Sequence, residues 1–219
     1  MNLAETVKYT IYRTPLLERL MVPSYPYKVD PGELAAMVDL IESSRAAGGA
    51  IAEVGVAQGD TSVFLLQHLQ SVGDERTLML FDTFSGFTQE SIDVEVHERG
   101  KSVEFFDKFR YGDENRFRRN LNKSGFSKFQ TVKGDAVQYD WEGLGPMGAM
   151  LLDIDLYQPT IQILEKVYPL LVDGGGIVID DCLPNRAWDG SLQAYEEFIA
   201  AHGLPFVRVG RKGGVIRKA

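Results

Sequence analysis

Apolar and polar positions along the chain follow two periods. From Ala50 to Val54 a short apolar run is broken only by Glu53, and it opens into a turn that holds Gly55 and Gly59. Beyond the turn Val63, Leu66 and Leu69 recur at helical spacing, so the stretch predicts a strand, a tight turn and a helix. The alternation continues downstream. Leu78–Phe81, Phe129–Lys133, Met150–Asp153 and Gly176–Ile179 read as further strands, with helices predicted over 103–126, 160–171 and 191–202. Strands alternating with helices predict an α/β fold, a mostly parallel sheet with helices on both faces. Near the end, Phe206–Val209 and Val215–Arg217 flank the turn Arg211-Lys212-Gly213-Gly214. Strands joined by so short a turn pair antiparallel, which completes seven.

The opening of the chain has no place in that sheet. Residues 1–29 are amphipathic, with Tyr9, Tyr12, Leu16, Leu17 and Leu20 near helical spacing and breaks at Pro23 and Pro26. They are expected to cover a sheet edge or form a subunit contact, or else to act as a lid that brings Tyr9, Tyr12 and Arg13 to a substrate. Asp30, Pro31 and Glu33 then mark a helix start, Leu34, Met37, Val38 and Ile41 form its inner face, and Gly48-Gly49 stops it. The chain divides into an extension over residues 1–29 and one domain over residues 30–219.

Charge and composition narrow the partners. A formal net charge of -8 over 219 residues argues against nucleic acid or an anionic membrane, since both need a basic face. The single cysteine, Cys182, allows neither an internal disulfide nor a thiol cluster for zinc. With no apolar run of about 18 residues and no signal-peptide core, a cytoplasmic protein is expected.

Glu53 decides how the glycine turn is read. The pattern E-x-G-x-x-x-G is neither the dinucleotide fingerprint nor the phosphate loop, both of which offer helix-terminal amides to an anion. A carboxylate at the strand end repels phosphate and suits a cation. The turn resembles the first motif of class I methyltransferases, whose ligand S-adenosylmethionine carries sulfonium and α-amino charges. On that reading Glu53, Gly55, Gly59, Thr61 and Ser62 hold the cofactor, the glycines by letting the backbone approach it. Asp82, at the tip of the second strand, is placed to accept from both ribose hydroxyls. Gly134 and Asp135 follow the third strand and lie by the adenine, and Asp153, at the end of the fourth, is expected to contact the cofactor as well.

Two more strands end in carboxylates, at Asp153-Ile154-Asp155 and at Asp180-Asp181. Consecutive parallel strands place Asp153 and Asp180 side by side on the edge that carries Gly55. So dense a set repels itself unless a cation neutralises it, and oxygen donors without cysteine favour Mg²⁺ or Mn²⁺. Asp153, Asp180 and Asp181 are the expected metal ligands, with Asp155 turned away by strand alternation. A bound ion would leave positions open for the hydroxyls of an acceptor. His97, in the long loop over 83–100, is the candidate base beside Asp153, because His68 lies within a helix and His202 in a helix's last turn.

At this point the chain resembles a family. The spacing of Asp153 from Asp180-Asp181, the Glu53 turn, Asp82-Thr83-Phe84-Ser85-Gly86-Phe87 and Tyr195-Glu196-Glu197-Phe198 with His202-Gly203 are similar to the macrocin and mycinamicin type of antibiotic-sugar O-methyltransferases. The metal half is also similar to catechol O-methyltransferase. The resemblance implies a Rossmann-like class I methyltransferase fold, S-adenosylmethionine, Mg²⁺, a small hydroxylated acceptor and a homo-oligomer. Other classes stay open. An NAD-linked oxidoreductase would use the same sheet but lacks the third fingerprint glycine here, and a non-catalytic S-adenosylmethionine-binding module would need Glu53, Gly55 and Asp82 without Asp153 and Asp180.

Overall fold

A computed structural model describes residues 3–13, 25–109, 113–184 and 187–218. Helix α1 (Leu3–Tyr12) is followed by α2 (Pro31–Ser43), β1 (Ala50–Val54), α3 (Asp60–Ser71) and β2 (Leu78–Asp82). Then come α4 (Gln89–Asp93), α5 (Glu114–Lys123), β3 (Phe129–Lys133), α6 (Trp141–Leu144) and β4 (Met147–Leu152). The chain closes with α7 (Tyr157–Val167), β5 (Leu171–Ile179), α8 (Gly190–His202), β6 (Arg208–Val209) and β7 (Gly213–Arg217). None of the described helices is long and apolar enough to cross a membrane.

The seven strands form one sheet in the order β3-β2-β1-β4-β5-β7-β6. β1 to β5 run parallel, while β7 pairs antiparallel with β5 and β6 antiparallel with β7. Alternation sends neighbouring residues to opposite faces, and both faces are covered. Ala52, Val54, Phe81, Met150, Leu152 and Ile179 pack under α7 and α8, whereas Ile51, Leu80, Leu151 and Val178 pack under α2 and α3. A strand buried on both sides reads as a continuous apolar run, which is why β1, β2, β4 and the second half of β5 stand out in the sequence, whereas the edge strand β3 is half exposed. Glu53 is the polar exception in β1.

Three spans differ from the sequence expectation. The helix predicted over 160–171 stops at Val167, and a single 3₁₀ turn at Tyr168–Leu170 leads into β5. Pro169 explains the stop, since it has no N–H to continue the helix. The stretch over 103–126 is a 3₁₀ segment, Val103–Phe109, and a separate α5, because Asp113 caps a new helix by accepting from Arg116 N at 3.0 Å. The loop over 83–100 holds α4 and a π-helical turn, Val94–Glu98.

In the opening segment α1 forms, but it presents Leu3, Val7 and Tyr9 to solvent, and Arg13 lies over the Tyr9 ring. Neither Tyr9 nor Arg13 lines the cleft; Pro26 and Lys28 do. Leu16, Leu17, Leu20 and Pro23 lie outside the described residues.

The antiparallel edge is tied down from α8. The buried Tyr195 hydroxyl lies 3.0 Å from both Val207 O and Val215 O and accepts from Val207 N at 2.9 Å. Tyr195→Phe strands those groups, and it is expected to lower the unfolding free energy by about 1–3 kcal/mol with an unchanged urea m-value. A change within error of zero in urea unfolding would show that the edge is held by packing alone.

Candidate active site

A cleft of about 760 Å³ opens along the carboxyl ends of the parallel strands. It sits where β1 has β2 on one side and β4 on the other, the point at which strand order reverses and such sheets bind ligands. Glu53, Gly55, Thr61, Asp82, Gly134, Asp135, Asp153, Asp180 and Asp181 all line it.

Glu53 is 1% exposed, and its Oε2 accepts from Ser62 Oγ at 2.6 Å. Burial pushes its carboxyl up to about 8, and the charges of Asp82 and Asp60 add to the rise against the Ser62 bond. Ser62 is itself buried and is spent on Glu53, so Thr61 is the residue of that pair that faces the cleft. Asp82 organises the turn: its Oδ2 accepts from Val56 N and Ala57 N at 3.1 and 3.0 Å, and its Oδ1 from Phe84 N at 2.7 Å. A carboxylate has about four acceptor sites, so capacity for a ligand hydroxyl remains.

Two of the glycines also serve the protein's own packing. A Cβ on Gly55 would lie 1.8 Å from Asp153 O, and one on Gly59 would lie 3.0 Å from the Phe117 ring. Both also have φ of +91°, so they let β1 and α3 close against the protein's own chain. Gly134 is the one of the three with open space at its Cβ position, and it lines the cleft. Beside it Asp135 Oδ1 caps a short turn by accepting from Val137 N at 2.9 Å.

The carboxylate cluster is larger than the sequence suggests. Asp153 N bonds Val54 O at 2.9 Å and Asp180 N bonds Leu152 O at 2.9 Å, so the ends of β1, β4 and β5 are level. Asp155, expected to point away, lines the same cleft. β4 ends at Leu152, and Asp155 has φ of +60°, so strand alternation no longer governs it. Removal from bulk water, then the charge of Asp180, raises the Asp153 carboxyl well above the usual range. Burial and the Asp181 carboxyl do the same to Asp155.

Lys212 is the functional residue that sequence reasoning missed. Its Nζ donates to Asp180 Oδ2 at 2.7 Å and to Asp181 Oδ1 at 2.9 Å, and these partners hold its ammonium well above its ordinary pKa against the effect of burial. A signal existed, because β7 pairs antiparallel with β5 and sets Gly214 opposite Ile179. Counting back across that pair brings Lys212 level with Asp181. Its turn is anchored by Arg211, whose N, Nε and Nη2 bond the Asp30 carboxylate at 3.0, 3.1 and 2.9 Å. Beneath it Glu33 is fully buried, and its carboxyl is pushed up to about 9, first by burial and then by Asp180.

Among the described residues no group of three or more His, Cys, Asp or Glu side chains stands where it could hold a metal ion. Asp153, Asp180 and Asp181 share the cleft, but two of them are turned to Lys212 rather than to one another's lone pairs. Lys212 Nζ meets Asp180 and Asp181, while Asp153 and Asp155 line the same cleft.

His97 is not brought to the cleft. It is exposed on the π-helical turn, which instead directs Glu95 inward. Glu95 is 1% exposed, accepts from Tyr157 N at 2.7 Å and pairs with Arg99, which also bonds Asp189 and Gln193 at 2.9 Å. These contacts fasten the loop to α7 and α8 with His97 outside. His68 pairs with Glu42 and His202 stacks on Phe198, so neither reaches the cleft.

Comparison with known proteins speaks to the fold and the family. The chain is similar to 8-demethyl-8-(2,3-dimethoxy-alpha-L-rhamnosyl)-tetracenomycin-C 4'-O-methyltransferase of Streptomyces olivaceus, at 25% identity over 166 residues. The match covers 71% of this chain and spans 60% of the length of that relative. Among solved structures, CalS11, a calicheamicin methyltransferase, has a TM-score of 0.67 at 20% identity, covering 97% of this chain and 90% of its own. The O-methyltransferase NovP has a TM-score of 0.65 at 18% identity, covering 86% and 80%. At these identities the two structures speak for the fold. Residues 32–218 match the family model of macrocin-O-methyltransferase (TylF), and the chain belongs to that family.

Proposed function

We propose that this protein moves a methyl group from S-adenosylmethionine to a hydroxyl of a sugar-like natural-product acceptor. The observation that carries the reading is that the Glu53–Asp82 turn and the aspartate cluster line one cleft, so donor and acceptor sites adjoin. The S. olivaceus relative, named for methylating a rhamnosyl-bearing compound, supports a sugar acceptor. Phe87 supports it from the cleft rim, where it packs on Trp188 at 5.9 Å and offers an apolar wall to a ring.

The roles follow from the geometry. Glu53, ionised when a cation arrives, offsets the donor's positive charge from beneath the turn. Asp82 accepts from the ribose hydroxyls, and Asp135 faces the adenine. Asp153, which lines the cleft beside the space left for the acceptor, is the carboxylate placed to receive the proton of the acceptor hydroxyl. A divalent ion, Mg²⁺ or Mn²⁺, held by Asp153, Asp180 and Asp181, would act as a Lewis acid that lowers the pKa of that hydroxyl. His97, outside the cleft, has no part in this account. Self-association through the exposed apolar positions of α1 completes the reading, and light scattering on the full chain tests it: a strictly monomeric species would remove that part.

Asp153→Asn is expected to cut methyl transfer by about 10²-fold or more while S-adenosylmethionine affinity changes little. The assay uses labelled donor with rhamnosylated acceptors, including TDP-rhamnose, the substrate named for CalS11. Full turnover in that variant would remove Asp153 from the chemistry.

Glu53 sets the pH dependence of donor binding. Its carboxyl is protonated in the free protein below about 8, and a bound cation favours the ionised form, so binding releases a proton there. Affinity is expected to rise with pH by up to about tenfold per unit below that value and to level off above it. In Glu53→Gln the slope should vanish. Calorimetry in buffers of different ionisation heat measures the released proton, and a flat wild-type profile would contradict the assignment.

A further inference from the structure

We infer that Arg99 is a positioning residue for the acceptor: it clamps the loop over 83–101 to the start of α8 and so holds Phe87 and Trp188 together as one wall beside the cleft. The inference rests on the sugar-acceptor reading proposed above.

The wall is built from two segments that no strand pairing joins. Phe87 follows β2 and lines the cleft, while Trp188 stands just ahead of α8. Their rings are 5.9 Å apart and tilted by 34°, and Phe106 backs both, at 6.1 Å from Phe87 and 5.6 Å from Trp188. Phe106 is buried, so the pair stands on a packed base. Aromatic pairs accept a range of offset and edge-on arrangements, so ring contact alone leaves the spacing of the two segments loose.

Arg99 supplies that spacing. Its Nη1 donates to Glu95 Oε2 at 2.5 Å, its Nη2 to Asp189 Oδ1 at 2.9 Å and its Nε to Gln193 Oε1 at 2.9 Å. Asp189 directly follows Trp188, and Gln193 lies in the first turn of α8. A planar guanidinium fixes these directions together, which a lysine ammonium would not. The other end is anchored as well. Glu95 is 1% exposed, and its Oε1 accepts from Tyr157 N at 2.7 Å, at the start of α7, where the N-cap residue Leu156 has no side-chain oxygen to offer. The π-helical turn gives the pair its direction: Arg99 N bonds Val94 O, five residues back, at 3.2 Å, a widened turn that sends Glu95 inward and Arg99 towards α8.

One chain of contacts therefore runs from α7 through Glu95 and Arg99 to α8. The Arg99 side chain is 10% exposed, so the clamp is poorly screened and unlike a surface ion pair. A second tie, from Gln158 Nε2 to Glu90 Oε1 at 2.9 Å, joins α4 to α7 and does not reach α8. When the clamp is cut, Trp188 and Phe87 are free to part and the acceptor's ring loses its seat. The donor site at Glu53 and Asp82 makes no contact with Arg99, so the loss falls on the acceptor.

Steady-state kinetics on the full chain, with labelled donor and an aryl rhamnoside as acceptor, test this. Asp189→Asn leaves the buried Glu95 with its partner, and it is expected to raise the acceptor KM about fivefold or more with the S-adenosylmethionine KM within about twofold. Arg99→Gln should raise the acceptor KM about tenfold, with Arg99→Lys between it and wild type. In a Phe87→Ala background Asp189→Asn should add less than about twofold, because the wall is already lost. A second readout needs no turnover. The chain has two tryptophans and Trp141 is buried, so acrylamide quenching of fluorescence reports Trp188. Quenching should rise about twofold or more in Asp189→Asn and in Arg99→Gln. Unchanged quenching in both variants, or an equal rise in the two KM values, overturns the clamp while the acceptor reading stands. If wild-type protein methylates no rhamnoside, the acceptor reading fails, and quenching alone decides the clamp.

Discussion

Electrostatic imbalance at one edge of the sheet shapes this molecule. Parallel strands bring their carboxyl ends together, and in this chain β1, β2, β4 and β5 deliver Glu53, Asp82, Asp153, Asp155, Asp180 and Asp181 to one cleft. Elsewhere the sheet is apolar on both faces, so the acidic groups have little dielectric relief. The protein manages them in two ways. Some are held by donors: Ser62 on Glu53, the amides of Val56, Ala57 and Phe84 on Asp82, and Lys212 on Asp180 and Asp181. The others, Asp153 and Asp155, hold their protons more tightly than ordinary carboxyls. A cleft that collects so many carboxyls favours a cationic ligand, whose charge would draw the protonated ones into their ionised form.

The backbone is strained at the same edge. Among the described residues, four other than glycine have left-handed φ: Ala57, Phe84, Asp155 and Asp181. Three of them line the cleft and the fourth follows Asp82 within the same loop. Each costs about 1 kcal/mol or more, and such costs persist where surrounding structure over-determines the conformation. In this chain the determining contacts are strand-end hydrogen bonds, the packing of Gly55 onto Asp153 O, and the docking of Gly190 against the Asp155 turn. The strain therefore aims side chains that a regular strand or helix would turn elsewhere.

Much of the architecture was legible in the sequence because a doubly buried strand leaves an unbroken apolar run. The Leu78–Asp82 and Met147–Leu152 strands are such runs, and one short turn reveals the antiparallel close at Arg208–Val209 and Gly213–Arg217. The convergence of Glu53, Asp82, Asp153 and Asp180 came from strand order alone. What escaped lay where periodicity stops. Asp155 stands three residues past the last pleat of β4, where a left-handed residue reverses the expected direction. Lys212 looked like one polar residue of a turn, and only the pairing of β7 on β5 brings it to the acids. His97 was misplaced because nothing in a loop sequence reveals that a π-helical turn will bury Glu95 and leave the histidine in solvent. Gly55 and Gly59 read in the sequence as room for a ligand, and the structure adds a second demand on them, close packing against Asp153 and Phe117.

The central claim is that a cationic nucleoside donor binds in the crevice between β1 and β4, beside the aspartates. The most direct test is a crystal structure with S-adenosylhomocysteine. The account predicts its ribose hydroxyls within hydrogen-bonding distance of Asp82, its amino group toward the Glu53 turn, and its sulfur facing the cluster of Asp153 and Asp180. A nucleoside bound elsewhere, or one whose sulfur faces away from those carboxylates, would contradict it.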